Sequence, residues 1–252
     1  MKIFLFSFIK IIIGIYISAL FLDNIFDYIF AKYSKRNAFN ILENKTYDLV
    51  VIGDSRAQGN IIPEIIDSAL NISSINVASP ALYPVDILAG IELYISKNKT
   101  PKFILIELGE TYKFKSASKL GRQQFLPYYK SNILSNYYNY CEDSKYYNIP
   151  LYRYIKYRDI GWRELYKILI NNHNNIFELG KGYRKVEVIG TDILNTNINW
   201  GKAQRMNIHI QSIIDLCKSN NIFLIFFTSP VYGEFDQNLC NYFDAKINNY
   251  IN

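Results

Sequence analysis

Tyr47-Asp48-Leu49-Val50-Val51-Ile52-Gly53-Asp54-Ser55-Arg56-Ala57 decides how the rest of this chain is read. Leu49 to Ile52 is an unbroken apolar run, and Gly53 closes it before a polar triplet begins. That pattern marks a strand buried on both faces of a parallel sheet rather than a half-exposed strand, which would alternate. Phe103 to Ile106 behind Pro101 and Ile222 to Thr228 are later apolar runs of the same kind, and Ser74 to Val77, short and β-branched, reads as a second strand. Between them the spacing predicts helices over Pro63 to Leu70, Pro84 to Ile95 and Ala203 to Ser219, the last with Met206, Ile210, Ile213, Ile214 and Cys217 on one face. Strands that alternate with helices need crossovers that cover both faces of the sheet. The expected fold is therefore three-layer α/β with a mostly parallel sheet.

In such sheets ligands bind beyond the carboxyl ends of the strands. The residues expected there are Gly53-Asp54-Ser55-Arg56, Ala78-Ser79-Pro80, Leu108-Gly109-Glu110 and Thr228-Ser229-Pro230. A serine entered through a glycine directly after a strand can hold its hydroxyl at the sheet edge, where a nucleophile is useful if a base reaches it. The same triplet is also good turn and helix-cap chemistry, so by itself it leaves both readings open.

The N-terminus carries a second strong signal. Ile3 to Leu22 is apolar except for Ser7, Lys10, Gly14 and Ser18. About 20 helical residues cover the hydrocarbon core of a bilayer. We read residues 1–25 as a signal-anchor helix with the amino terminus inside, because a short charged start before an apolar run resembles an export signal. Lys32, Lys35 and Arg36 beyond the run pull the other way. Ser18-Ala19-Leu20 makes a poor cleavage site, so a retained anchor is expected, and residues 26–44 read as a linker. The domain behind it, residues 45–252, is expected on the extracytoplasmic side, periplasmic or cell-surface.

Composition excludes several classes. With 50% hydrophobic and 16% aromatic residues, 22 of them Tyr, the chain is not disordered. A formal charge of +6 is spread along the chain without a basic run, which suits an anionic envelope rather than a nucleic acid. Cys141, Cys217 and Cys240 form no CxxC pair, and no His or acid cluster has metal-ligand spacing, so neither a metal nor a cofactor is called for. Gly53 stands outside any GxGxxG or GKS/T phosphate loop. From about 111 to 200 the pattern changes to an inserted cap rich in Tyr and Asn, such as Tyr137-Tyr138-Asn139-Tyr140 and Asn171-Asn172-His173-Asn174-Asn175, with one helix expected over Trp162 to Ile170. Its aromatics either line a cleft or form an ordinary accessory layer.

The run from Tyr47 to Ala57 with Ile62-Pro63, the segment Ile75-Asn76-Val77-Ala78-Ser79-Pro80, the stretch Pro101 to Leu108 and the end from Ser219 to Tyr232 together resemble the SGNH/GDSL hydrolase family. The likeness is greatest to its membrane-anchored branch of bacterial envelopes. It implies a flavodoxin-like SGNH fold and a serine esterase or acyltransferase acting on ester groups of envelope glycans or lipids. Ser55 would be the nucleophile. Its own amide and one near Ser79 would bind the oxyanion, with Asp54 and Arg56 shaping the site. The chain departs from the family at three places. Ser79-Pro80 stands where a glycine amide is expected, Glu107-Leu108-Gly109-Glu110 replaces the block with an Asn donor, and no Asp-x-x-His follows. Neither His173 nor His209 completes that pair. The expectation is therefore a weakly active or inactive enzyme as given, read as incomplete at its C-terminus. The alternatives are a non-catalytic envelope binding or assembly module and a truncated fragment.

Overall fold

The structure is a computed structural model that describes residues 2–34, 42–107, 109–157, 162–170, 180–184 and 207–229. His173, Cys240, residues 203–206 of the last expected helix and the Pro230-Val231-Tyr232 end of the last block lie outside them.

Among the described residues the chain is α/β with a four-stranded, all-parallel sheet. Helix α1 (Lys2–Tyr33) precedes β1 (Leu49–Ile52), α2 (Ser55–Asn60), α3 (Pro63–Leu70), β2 (Ser74–Asn76), α4 (Pro84–Lys97) and β3 (Phe103–Glu107). The cap follows as 3₁₀ turns around α5 (Gly121–Phe125), α6 (Tyr152–Lys156) and α7 (Trp162–Leu169), and then come α8 (Ile208–Ser219) and β4 (Phe223–Phe227). The strand order is β2-β1-β3-β4, with Val50 paired to Ile75 on one side and Ile104 on the other. Chain direction across the sheet therefore reverses between β1 and β3, and the crevice beyond their carboxyl ends is where doubly wound sheets bind ligands.

Alternate side chains of these strands feed different layers. Val50, Ile52, Ile75, Ile104 and Ile106 join α4, α8 and the cap in one core. Leu49, Val51, Phe103 and Leu105 meet Ala57 of α2 and Ile66 of α3 in another. Pro63 and Pro84 start α3 and α4 at positions where the missing N–H removes no helical bond. On β4, Phe223 and Ile225 stay exposed among the described residues.

Many of the cap tyrosines pack into an accessory layer, whereas Tyr140, Tyr146 and Tyr166 stay exposed. Tyr137, Tyr138, Tyr147, Tyr154 and Tyr157 are buried. Their hydroxyls serve internal acceptors: Tyr137 donates to Asp86 Oδ1 at 2.7 Å, Tyr138 to the Phe125 carbonyl at 2.6 Å, and Tyr147 and Tyr157 to Asp143 at 3.0 Å each. Asp143 also takes Arg122 at 2.7 Å. Asp86, whose carboxyl burial pushes up to about 6, accepts the amides of Tyr83 and Ser118 and so ties the cap to α4. A Tyr-rich layer solves one problem of a buried polar segment: each ring fills core volume while its hydroxyl satisfies a buried acceptor.

Helix α1 is long and apolar enough to cross a membrane, and its most apolar stretch is unburied. It runs past residue 25, to Tyr33, into the stretch expected to be a linker. Asp23, Phe26, Asp27 and Phe30 recur at helical spacing and form one face. Phe26 and Phe30 stack on Tyr154 at 5.1 Å each. Arg153, fully buried, reaches both acids: Nη2 donates to Asp23 Oδ2 at 2.6 Å, and Nη1 to Asp27 Oδ1 at 2.9 Å. The Tyr154 hydroxyl donates to Asp27 and the Leu151 amide to Asp23. The last turns of α1 are thus part of the domain's core.

Candidate functional site at the carboxyl edge of the sheet

Asp54, Ser55 and Arg56 sit at the reversal point between β1 and β3. Asp54 caps α2: its Oδ1 accepts the Arg56 amide at 2.8 Å, and its carbonyl accepts from the Gln58 amide at 3.2 Å. Capping leaves Ser55 as the first helical residue, exposed, with its own amide lacking an intrahelical acceptor. Gly53 makes this geometry possible. A Cβ there would come 2.7 Å from Glu107 Cβ and 3.0 Å from Ala57 Cβ, so only glycine lets β1, α2 and β3 converge.

Asn76, buried at the end of β2, sets where α2 lies. Its Nδ2 donates to the Ala57 and Ile61 carbonyls at 2.9 and 3.0 Å, and its Oδ1 accepts the Ala78 amide at 3.0 Å. One side chain therefore joins the α2 end to the strand end that leads into Ser79.

Ser79 is half-buried and differs from the role the resemblance implies. Its amide donates to the Gly53 carbonyl at 3.1 Å, extending the β1–β2 pairing past the strand. Its hydroxyl accepts from Gln124 Nε2 of α5 at 2.5 Å. Pro80 has no N–H, so neither of these two residues offers a free amide to an oxyanion.

The strongest electrostatic feature is one the sequence reading passed over. Glu107, last residue of β3, is buried with its side chain fully enclosed. Arg56 Nη2 stands 3.1 Å from Glu107 Oε1 and 3.4 Å from Asp54 Oδ2, bridging two carboxylates with one guanidinium. The Arg56–Glu107 contact is electrostatic rather than an aligned hydrogen bond. Burial pushes the Glu107 carboxyl up to about 7, Asp54's charge adds to the rise, and Arg56 and the Ser229 amide oppose it. The Arg56 guanidinium lies against Gly109, where a Cβ would fall 1.3 Å from Nη2. The signal available in the sequence was a lone acid closing an otherwise apolar strand, two residues before a glycine.

His209 is committed elsewhere. Its Nε2–H donates to the Lys115 carbonyl at 2.9 Å, its ring meets Tyr140 edge-on at 4.4 Å, and burial lowers its pKa. Asn207 caps α8 and donates to the Tyr112 and Phe114 carbonyls, so this corner anchors the cap. Cys141 and Cys217 are buried free thiols, and burial pushes Cys141 up to about 12. Among the described residues no group of three His, Cys, Asp or Glu side chains could hold a metal. The arrangement can present a serine hydroxyl to an incoming ligand beside a compact acid–base triple. Compared with protein-family models, curated proteins and solved structures, the chain shows no match.

Proposed function

We propose that this chain is a membrane-anchored serine esterase or acyltransferase of SGNH type, acting outside the cytoplasm on ester groups of envelope glycans or lipids. The observation that carries the reading is Ser55, exposed at the reversal point of a parallel sheet, directly after the strand-closing Gly53. In this reading Ser55 Oγ attacks an ester carbonyl, the C–O bond to the alcohol breaks, and the hydroxyl proton leaves with the alcohol. Water or a second hydroxyl then takes the acyl group from Ser55. The Ser55 amide faces the oxygen that becomes negative during attack.

The full chain in detergent, assayed with short-chain p-nitrophenyl esters, tests this. The turnover expected is weak, because no Asp-x-x-His supplies a base, and Ser55→Ala is expected to lower kcat/KM by about 10-fold or more, short of the loss seen when a complete triad is broken. Equal rates for wild type and variant overturn the hydrolase reading.

One observation favours a second reading, a non-catalytic envelope binding module: the Ser79 amide is already bonded to Gly53. That reading predicts glycan retention on the immobilised full chain, unchanged by Ser55→Ala, and falls if no glycan is retained.

A further inference from the structure

Helix α7 has two unlike faces. Glu164 is buried and accepts from the Ser34 hydroxyl at 2.9 Å, while Leu165 and Ile168 pack on the cluster of Phe26, Phe30 and Tyr154. On the other side Trp162, Tyr166 and Leu169 follow at helical spacing and are 60%, 63% and 74% exposed. Arg163, exposed, and Lys167, half-buried, flank that stripe. Exposed apolar residues scattered singly need no explanation, but an aligned Trp-Tyr-Leu stripe bordered by cations is the composition of a helix lying in a membrane interface.

The position of α7 identifies what covers the stripe. The helix packs on α1 where α1 enters the domain, and the Trp162 ring meets Phe26 edge-on at 5.6 Å. The exposed apolar run of α1 extends from Phe4 to Leu22, whereas Asp23 is buried in the domain. The edge of the hydrocarbon therefore falls at about Leu22. Phe26 lies four residues further on, about 6 Å along the helix axis. The headgroup layer outside each hydrocarbon face is itself about 5–8 Å deep, so the Phe26–Trp162 contact falls within it. Trp and Tyr concentrate at that depth because one edge of each ring is apolar and the other can hydrogen-bond.

We propose that α7 is a second membrane contact, its Trp162–Tyr166–Leu169 stripe seated in the headgroup layer of the leaflet from which α1 emerges, with Arg163 and Lys167 facing lipid phosphates. The proposal rests on α1 being a membrane anchor. It assigns the Tyr-rich cap, through α7, to the lipid side of the domain.

The test places the full chain in bilayer nanodiscs of phosphatidylcholine and phosphatidylglycerol. Cys141, Cys217 and Cys240 are changed to Ala, and single nitroxide labels are placed by Leu169→Cys, Ile13→Cys and Ile65→Cys. Collision with oxygen against a water-soluble nickel chelate then reads depth. The label at 13 is expected in the acyl chains, that at 169 at the headgroup boundary, and that at 65 in water. A label at 169 as aqueous as that at 65 overturns the proposal. Position 13 then tells whether the anchor reading falls with it: acyl depth at 13 keeps the anchor, and an aqueous signal there removes both. A second measurement leaves α7 unaltered. In Trp200→Phe, Trp162 is the remaining tryptophan, and lipids brominated near the headgroup are expected to quench and blue-shift its emission. Absence of quenching overturns the proposal independently of the labels.

Discussion

Arg153→Met isolates the contact that makes α1 part of the domain. The substitution keeps most of the aliphatic stem and removes a guanidinium that is fully buried. Four hydrogen bonds go with it: to Asp23 Oδ2 at 2.6 Å, to Asp27 at 2.9 and 3.1 Å, and to the Leu126 carbonyl at 2.6 Å. Breaking a buried pair by deleting one partner costs about 3–5 kcal/mol, because the surviving charge is left desolvated. Lys130 remains 3.3 Å from both carboxylates and, although half exposed, compensates part of the surviving charge, which sets the expected loss near the lower bound, about 3 kcal/mol. For a domain of this size that corresponds to a fall in Tm of roughly 6–12 °C. The assay is near-UV circular dichroism of the full chain in micelles, since aromatic packing reports the domain while α1 stays helical. The companion variant Arg153→Met/Asp23→Asn/Asp27→Asn removes the whole charged set and is expected to recover most of the loss. A single variant within about 1 kcal/mol of wild type, or a triple variant no better than the single, refutes the argument that uncompensated charge drives the effect.

Two further outcomes follow from the Ser55 edge. Glu107, raised to about 7 chiefly by burial, holds a proton in the folded chain that the unfolded chain has already lost. Its contribution is therefore whole below the ordinary glutamate range and drains as pH rises through 7, by about 2–3 kcal/mol between roughly pH 5 and pH 8. Urea unfolding at both pH values should show that fall in wild type and not in Glu107→Gln; parallel curves refute it. Gly53→Ala and Gly109→Ala should differ in kind. The first drives a Cβ into Glu107 and Ala57 and is expected to cost about 1–3 kcal/mol at either pH. The second puts its Cβ against the movable end of Arg56 and 3.1 Å from Glu107 Oε1, side-chain atoms in both cases, so at about pH 5 it should stay within roughly 1 kcal/mol of wild type while steepening the loss toward pH 8. Denaturant midpoints in the opposite order sink the assignment.

The sheet was legible because its strands write themselves as apolar runs: Leu49–Ile52 is buried throughout, and Phe103–Ile106 and Phe223–Phe227 are as apolar although Phe223 and Ile225 stay exposed among the described residues. The junction after α1 was less legible. Hydropathy averages over Asp23 and Asp27, whereas their spacing with Phe26 and Phe30 announces a packed face only once a partner such as Arg153 is known, about 130 residues away. The two readings of the cap tyrosines stayed open for the same reason: Tyr137 finds Asp86 across 51 residues, and no local pattern states that its hydroxyl is taken. Ser79 depends on register, since its amide meets Gly53 only because β1 and β2 pair as Val51 with Asn76. Glu107, by contrast, was readable as a charge out of place in an apolar strand.

The cap joins the two features that the sequence presented separately. Gln124 of α5 bonds the Ser79 hydroxyl at the sheet edge, and two residues later the Leu126 carbonyl accepts from Arg153, which holds Asp23 and Asp27 of α1. A flexible linker would leave the domain free to turn about its tether. Here buried, charge-assisted bonds join the helix end to the cap, and a part-buried neutral bond joins the cap to the carboxyl edge of the sheet a few residues away; the charged set is the costly one to break. The orientation of α1 therefore sets the orientation of Ser55, so that whatever ligand Ser55 meets is met in one fixed attitude relative to α1.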